Sequence, residues 1–208
     1  DKTLLWSGSG ESFLMFTARD RIWVALGDPA GAESEKVELT WQFREMSERN
    51  GASGVFYAAT DRYLPLYLDQ GMGAFRLGEQ AIVDLSHFDL TDPSRRELSE
   101  ALALAGEEGF SFQILAPGQA QPVFSELRAI SDAWLSHHRA KESAFVRGFF
   151  DEAYLRHFPI ATVSRKGKII AFANLWSGSG KIGLATDMVR QVPSSPPGLL
   201  DYLFIQVM

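Results

Sequence analysis

Short blocks of apolar residues open the chain. Thr3–Trp6, Ser12–Thr17 and Ile22–Leu26 are rich in Phe, Trp, Val and Ile and read as strands, with turns at Ser7–Gly10 and Arg19–Arg21. Beyond the loop Gly27-Asp28-Pro29-Ala30-Gly31 the period lengthens, and Val37–Asn50 (VELTWQFREMSERN) predicts an amphipathic helix stopped by Gly51. A strand at Gly54–Ala59, a helix at Arg62–Gln70 capped by Gly71, and strands at Ala74–Gly78 and Ala81–Asp84 follow. Pro93–Glu108 (PSRRELSEALALAGEE) is helical in pattern and ends at Gly109, as a connector between two halves would.

A second cycle comes after it. It comprises strand Ser111–Leu115, helices Val123–His138 and Asp151–His157, strand Ile160–Ser164, a turn at Arg165–Lys168, and strands Ile169–Trp176 and Ile182–Met188. A helix from about Gly198 still runs at Met208, so an incomplete last domain is expected, with exposed apolar surface that association between copies could cover. The hexapeptide LWSGSG occurs at Leu5–Gly10 and at Leu175–Gly180, but the flanking elements do not align, and it reads as a turn coincidence. The order strand, turn, strand, Pro/Gly loop, helix does recur, at 12–50 and 169–208. The expected fold is α+β with mixed twisted sheets flanked by helices, in tandem: residues 1–92, a connector helix 93–109, and residues 110–208.

Composition narrows the chemistry. The chain has no cysteine, which removes disulfides, thiolate nucleophiles and cysteine metal sites. No apolar run approaches the roughly 20 residues that span a bilayer. The net charge of −6 conceals an asymmetry, because residues 1–108 hold 10 Lys and Arg against 19 Asp and Glu, and residues 109–208 hold 10 against 7. Arg128, Arg139, Lys141, Arg147, Arg156, Arg165, Lys166 and Lys168 are interleaved with aromatics. They suit a phosphodiester backbone, an anionic membrane, or plain solvation.

Polar residues interrupt the last strands at Asn174, Asp187 and Arg190, at a strand end beside a helix-opening loop, where α/β proteins place chemistry. Asp187 and Arg190, with Glu142, have the best claim to a reaction; a structural Asp187–Arg190 salt bridge is the alternative. Trp134 with Phe145, Phe149 and Phe150 could line an acyl-chain groove or belong to a core. His137 and His138 point apart on a helix, and no metal site is expected there. Gly178-Ser179-Gly180-Lys181 lacks the rest of a phosphate-binding loop and reads as a hairpin turn.

The element order is that of a GNAT-type acyltransferase, and Tyr63–Glu79 (YLPLYLDQGMGAFRLGE) resembles the end of that fold. Such enzymes cradle the coenzyme A pyrophosphate on backbone N–H groups of a glycine-rich loop that opens a helix. Here one candidate loop carries Asp28 and Glu33, and the other has Pro193 and Ser195 at the glycine positions. The fold is expected without its usual cofactor.

Segments spread along the chain resemble the cytosolic domain of the aminoacyl-phosphatidylglycerol synthases, the multiple peptide resistance factor family. They are Trp23–Gly31 (WVALGDPAG), Tyr63–Glu79, Glu126–Leu135 (ELRAISDAWL), Lys141–Gly148, Phe172–Trp176 (FANLW), Asp187–Arg190 (DMVR) and Gly198–Phe204 (GLLDYLF). The resemblance implies tandem GNAT folds that pass lysine or alanine from aminoacyl-tRNA to a glycerol hydroxyl of phosphatidylglycerol, with no cofactor. It also implies a place at the cytoplasmic face of the plasma membrane, beside an N-terminal membrane domain, and resistance to cationic antimicrobial peptides.

On this reading Asp187 meets the substrate amine or moves a proton, Arg190 meets a phosphate or the developing negative charge, and Asn174 supplies a polar contact within the sheet. Glu142 and Lys141 form a substrate-facing rim, and Trp134 and Asp201 complete the binding set. Three departures stand against it: Ser99–Ala105 lacks the family's basic residues and Asn, Gly183 replaces a carboxylate, and Pro197 replaces the Asn of a Pro-Asn-Gly loop. Coenzyme A-dependent N-acyl transfer and a non-catalytic binding module remain the alternatives.

Overall fold

The computed structural model describes residues 2–142, 145, 148–178 and 183–208, which divide into two compact units on either side of Ala81 and Ile82. The hairpin turn expected at Gly178–Lys181, the start of the strand expected from Ile182, and much of Lys141–Gly148, Arg147 included, lie outside the described residues.

In the first unit, β1 (Thr3–Trp6), β2 (Phe13–Arg19), β3 (Ile22–Leu26) and β4 (Ser53–Tyr57) form one sheet in that order. The first two pairings are antiparallel; β3 and β4 run parallel because α1 (Glu33–Arg49) carries the chain back between them. The alternate residues Leu14 and Phe16 of β2 face α1 and meet Phe43, which packs edge-on against Phe16 and Phe56 at 5.4 and 5.3 Å. Helix α1 begins one turn before the expected Val37. Its first turn, ESEK, is polar all round and escapes an apolar period, yet its two glutamates favour the positive end of the helix dipole. Gly31, at φ +116°, lets the preceding loop pass against Ser12, whose Oγ accepts the Ala32 N–H at 2.8 Å. A short helix α2 (Leu64–Asp69) follows β4.

The strands expected at Ala74–Gly78 and Ala81–Asp84 do not form. No strand pairs with this stretch among the described residues, and Phe75, Leu77 and Ile82 are 88%, 75% and 83% exposed. Residues with strand propensity make a strand only against a partner edge.

The second unit is built on an antiparallel sheet in the order β10 (Val189–Gln191), β7 (Lys168–Asn174), β6 (Ile160–Arg165), β5 (Phe110–Leu115). Its faces separate by the two-residue period of a strand. Ala171, Ala173 and Val163 meet α3 (Arg96–Glu107) and α6 (Leu199–Val207) through Ala105, Leu199 and Leu203. Ile160 and Phe172 point the other way, to Phe124, Leu127 and Ile130 of α4 (Phe124–His138) and Leu155 of α5 (Glu152–Leu155). The last strand also departs from expectation. Among the described residues Leu184–Ala185 (β9) pairs with Trp176–Ser177 (β8), Asp187 lies in a bend, and the chain re-enters the main sheet at Val189. Arg190 therefore sits within a strand, not beyond its end.

Candidate active site

The register of β10 on β7 sets the site. Arg190 lies opposite Phe172, and Asn174 is two residues along β7 from Phe172, so both side chains belong to the α4 face. Asn174 is fully buried: its Oδ1 accepts the Met188 N–H at 2.8 Å, and its own N–H donates to the Met188 carbonyl at 3.2 Å. This paired grip fixes the bend that presents Asp187. The Arg190 guanidinium, in a residue 8% exposed, lies 4.2 Å from the centroid of the Trp134 ring of α4 and donates to the Val189 carbonyl at 3.0 Å. A cation over an indole face in a buried setting is favourable.

Asp187 is held from two sides. Tyr154 of α5 donates its hydroxyl to Oδ2 at 2.8 Å. Gly148 backs onto the carboxylate so closely that a Cβ there would stand 2.5 Å from Oδ2 and 2.9 Å from Oδ1. Oδ1 is buried with no hydrogen-bond partner among the described residues, and so is Asn174 Nδ2. A buried acceptor or donor left without a partner costs stability unless a ligand meets it.

Burial first, then the hydrogen bond and the charge of Asp187, push the Tyr154 hydroxyl well above the usual tyrosine range; the neighbouring Trp176 and Asn174 side chains act the other way. Because folding raises this pKa, the associated stability is complete below the unfolded value of about 10 and is lost as pH rises beyond it. An absorbance titration to about pH 11 should read the same phenolate amplitude in wild type and Tyr154→Phe. A smaller amplitude in the variant would contradict it.

The other expected residues scatter. Glu142 is an exposed residue whose Oε2 accepts the Phe150 N–H at 2.8 Å, tying down the segment that carries Gly148, and Lys141 is exposed. Trp134 belongs to the cluster through Arg190, whereas Phe150 is a core residue, edge-on to Phe124 and Phe172. His138 stacks on Trp134 at 4.3 Å. Asp201 is exposed in the first turn of α6, the helix on the opposite face of the sheet from Arg190 and Asn174. Tyr154 and Gly148 escaped the sequence reading. Tyr154 sits in DEAYLRHF like any aromatic of an amphipathic helix, and nothing local marks Gly148 as the neighbour of a residue far along the chain.

Both loops that could cradle a pyrophosphate are poorly built for one. Asp28 accepts from the Thr60 N–H at 3.0 Å, the Thr60 hydroxyl at 2.7 Å and the Tyr67 hydroxyl at 2.7 Å, so the first loop is closed by its own carboxylate. In the second, the Val192 and Ser195 N–H groups are spent on Ile170 and Val192 carbonyls, and Pro193, Pro196 and Pro197 have none to offer.

The family model for the phosphatidylglycerol lysyltransferase C-terminal region matches residues 1–208. The phosphatidylglycerol lysyltransferase of Staphylococcus epidermidis is 32% identical over 209 residues, covering 100% of this chain and 25% of that protein. The chain thus spans about a quarter of the length of the curated relatives it matches. Among solved structures, the C-terminal domain assigned to a lysylphosphatidylglycerol synthetase of Agrobacterium fabrum superposes with a TM-score of 0.92 at 35% identity, over 100% of this chain and 66% of that one. L-PGS from Bacillus licheniformis gives 0.89 at 33%, with the same coverage. With its full length matched in sequence and in fold, the chain belongs to the phosphatidylglycerol lysyltransferase C-terminal family.

Proposed function

We propose that this chain is the transferase part of an enzyme that passes a lysyl or alanyl group from aminoacyl-tRNA to a glycerol hydroxyl of phosphatidylglycerol. The observation that carries the reading is the Asp187 carboxylate, with one oxygen held by Tyr154 and the other buried and unmet among the described residues. A substrate ammonium is the complement such an oxygen calls for. Relatives that match the whole chain are named phosphatidylglycerol lysyltransferase, which favours lysine as the group carried.

The reaction is a transesterification. The lipid glycerol oxygen attacks the ester carbonyl, a new C–O bond forms, and the bond to the ribose oxygen breaks. The proton from the lipid hydroxyl ends on the ribose hydroxyl that departs. The ester is already activated, so positioning and charge stabilisation suffice, without a covalent intermediate. Asp187 anchors the amine and so orients the carbonyl. Arg190 supplies positive charge toward the lipid phosphate or the oxyanion, and Asn174, through Met188, holds the bend that carries Asp187. Trp134 belongs to this site through the Arg190 guanidinium over its ring, and Glu142 holds the Phe150 segment that carries Gly148.

The wider reading keeps two tandem GNAT-type folds, 1–92 and 110–208 with the connector 93–109, the membrane domain of the whole protein, and a place at the cytoplasmic membrane surface. No helix among the described residues is long and apolar enough to cross a membrane. Coenzyme A-dependent transfer is disfavoured by the Asp28 carboxylate in one loop and the prolines at Pro193, Pro196 and Pro197 in the other. The test is transfer of radiolabelled lysine or alanine from charged tRNA to phosphatidylglycerol vesicles by the whole protein. Label in the lipid fraction is expected, and a folded protein that moves neither amino acid would overturn the reading.

A further inference from the structure

The two units share one order of elements. In the first, β1, β2 and β3 form an antiparallel meander, a loop follows, and α1 packs on one face of the sheet. The chain then returns as β4 along the outer edge of β3, parallel to it, from Ile22 opposite Ser53 to Leu26 opposite Tyr57. In the second, β6, β7 and β10 form the same meander. The loop at 192–198 leads to α6, which packs on one face through Leu199 and Leu203. Among the described residues nothing pairs with the far side of β10, the end strand of its sheet.

That side of β10 is not built as a free edge. Antiparallel partners exchange their backbone bonds at every second residue. The Asn174 N–H donates to the Met188 carbonyl at 3.2 Å and the Val192 N–H to the Ile170 carbonyl at 2.9 Å, so positions 188, 190 and 192 face β7. Val189 and Gln191 therefore turn their N–H and C=O groups outward, and both residues are half-buried. An exposed edge is normally guarded by charge, proline or a bulge. The one charged side chain of β10 is Arg190, which lies buried over Trp134 with its guanidinium donating to the Val189 carbonyl at 3.0 Å.

We propose that a strand from the segment of the whole protein that follows α6 pairs parallel with β10 and completes the candidate site. The first unit supplies the precedent, since its loop and helix bring the chain back to the edge that the meander leaves open. Such returns stay local and keep one hand. The two solved relatives that superpose on all of this chain are longer than it: the chain covers 66% of each, which leaves about a third of their length outside the shared region. Docked on β10, the strand takes the Val189 and Gln191 groups into a ladder and makes β10 an inner strand. It also sets one of its own side chains beside Arg190 on the α4 face, so the site draws a residue from outside 1–208. The inference rests on the proposed function only in taking the whole protein to be longer than these residues.

Two measurements on the whole protein test the strand, and neither uses tRNA or lipid. In hydrogen exchange, the Val189 and Gln191 amides are expected to be slowed at least about a hundredfold from the unstructured rate, equally at low and high protein concentration. Exchange at the unstructured rate overturns the proposal. Protection that grows with concentration assigns the edge to a second copy and overturns it too. Photoreactive benzoylphenylalanine in place of Gln191 should then cross-link to a peptide beyond residue 208 of the same chain, read by mass spectrometry on mixed heavy and light protein. Capture confined to residues 1–208, or heavy–light pairs, overturns the proposal. A protein that gives the expected exchange and cross-link but transfers no amino acid upholds the strand and sinks the reaction.

Discussion

On the proposed lysyl-transfer reading, Asp187→Asn is expected to lower kcat/KM for transfer by at least about a hundredfold while the protein stays folded. Asparagine has the volume of aspartate and its carbonyl can still accept the Tyr154 hydroxyl, which now holds Oδ2 at 2.8 Å. What disappears is the negative charge on an oxygen buried away from water. A charge-assisted hydrogen bond there is about twice as strong as a neutral one. If the bond also orients the reacting ester, its loss is felt in the transition state, on the scale of about 3–4 kcal/mol seen when one positioned group is removed. Single-turnover transfer from charged tRNA measures the effect, and a thermal melt confirms the fold. Transfer within about threefold of wild type would remove Asp187 from the mechanism.

Much of the scaffold is legible in the sequence. β1 and β3 run as predicted, α4 and α6 begin within a residue of their expected starts, and the Pro/Gly loop before α6 announces its helix. These elements bury one face against a neighbour, and the period of their apolar residues records it. The stretch 74–84 has the composition of strands and makes none, because pairing depends on an edge elsewhere in the fold.

The site divides the same way. Asp187, Arg190 and Asn174 stand out as polar residues in an apolar run, and the pleat does bring Asn174 and Arg190 to one face. Tyr154, 33 residues before Asp187, is joined to it only because α5 and the bend at Asp187 flank the same end of β7. Gly148 is informative only through what a methyl group would strike. Asp201, singled out by its motif, lies on the helix at the other face. A motif match has no means of distinguishing the two sides of a sheet.

Gly148→Ala is expected to cost about as much transfer as the loss of the Asp187 charge, without replacing any ionisable group. The added Cβ would stand 2.5 Å from Oδ2, 2.8 Å from Cγ and 2.9 Å from Oδ1 of Asp187, against the roughly 3.3 Å or more that carbon and oxygen keep when not bonded. Backbone on one side and carboxylate on the other leave the side chain to give way, by close to an ångström. That movement strains or breaks the bond to Tyr154 and turns Oδ1 away from its place, and an ångström of misplacement at a reacting centre can cost about a hundredfold. Overpacking of this kind also lowers stability by about 1–3 kcal/mol, readable in a urea melt. Gly148→Ala and Asp187→Asn act on one carboxylate, so their effects on kcat/KM should not add: the double variant should fall within about threefold of the worse single variant. Independent, multiplying losses would mean that Gly148 matters for the fold around the site and not for the aim of Asp187.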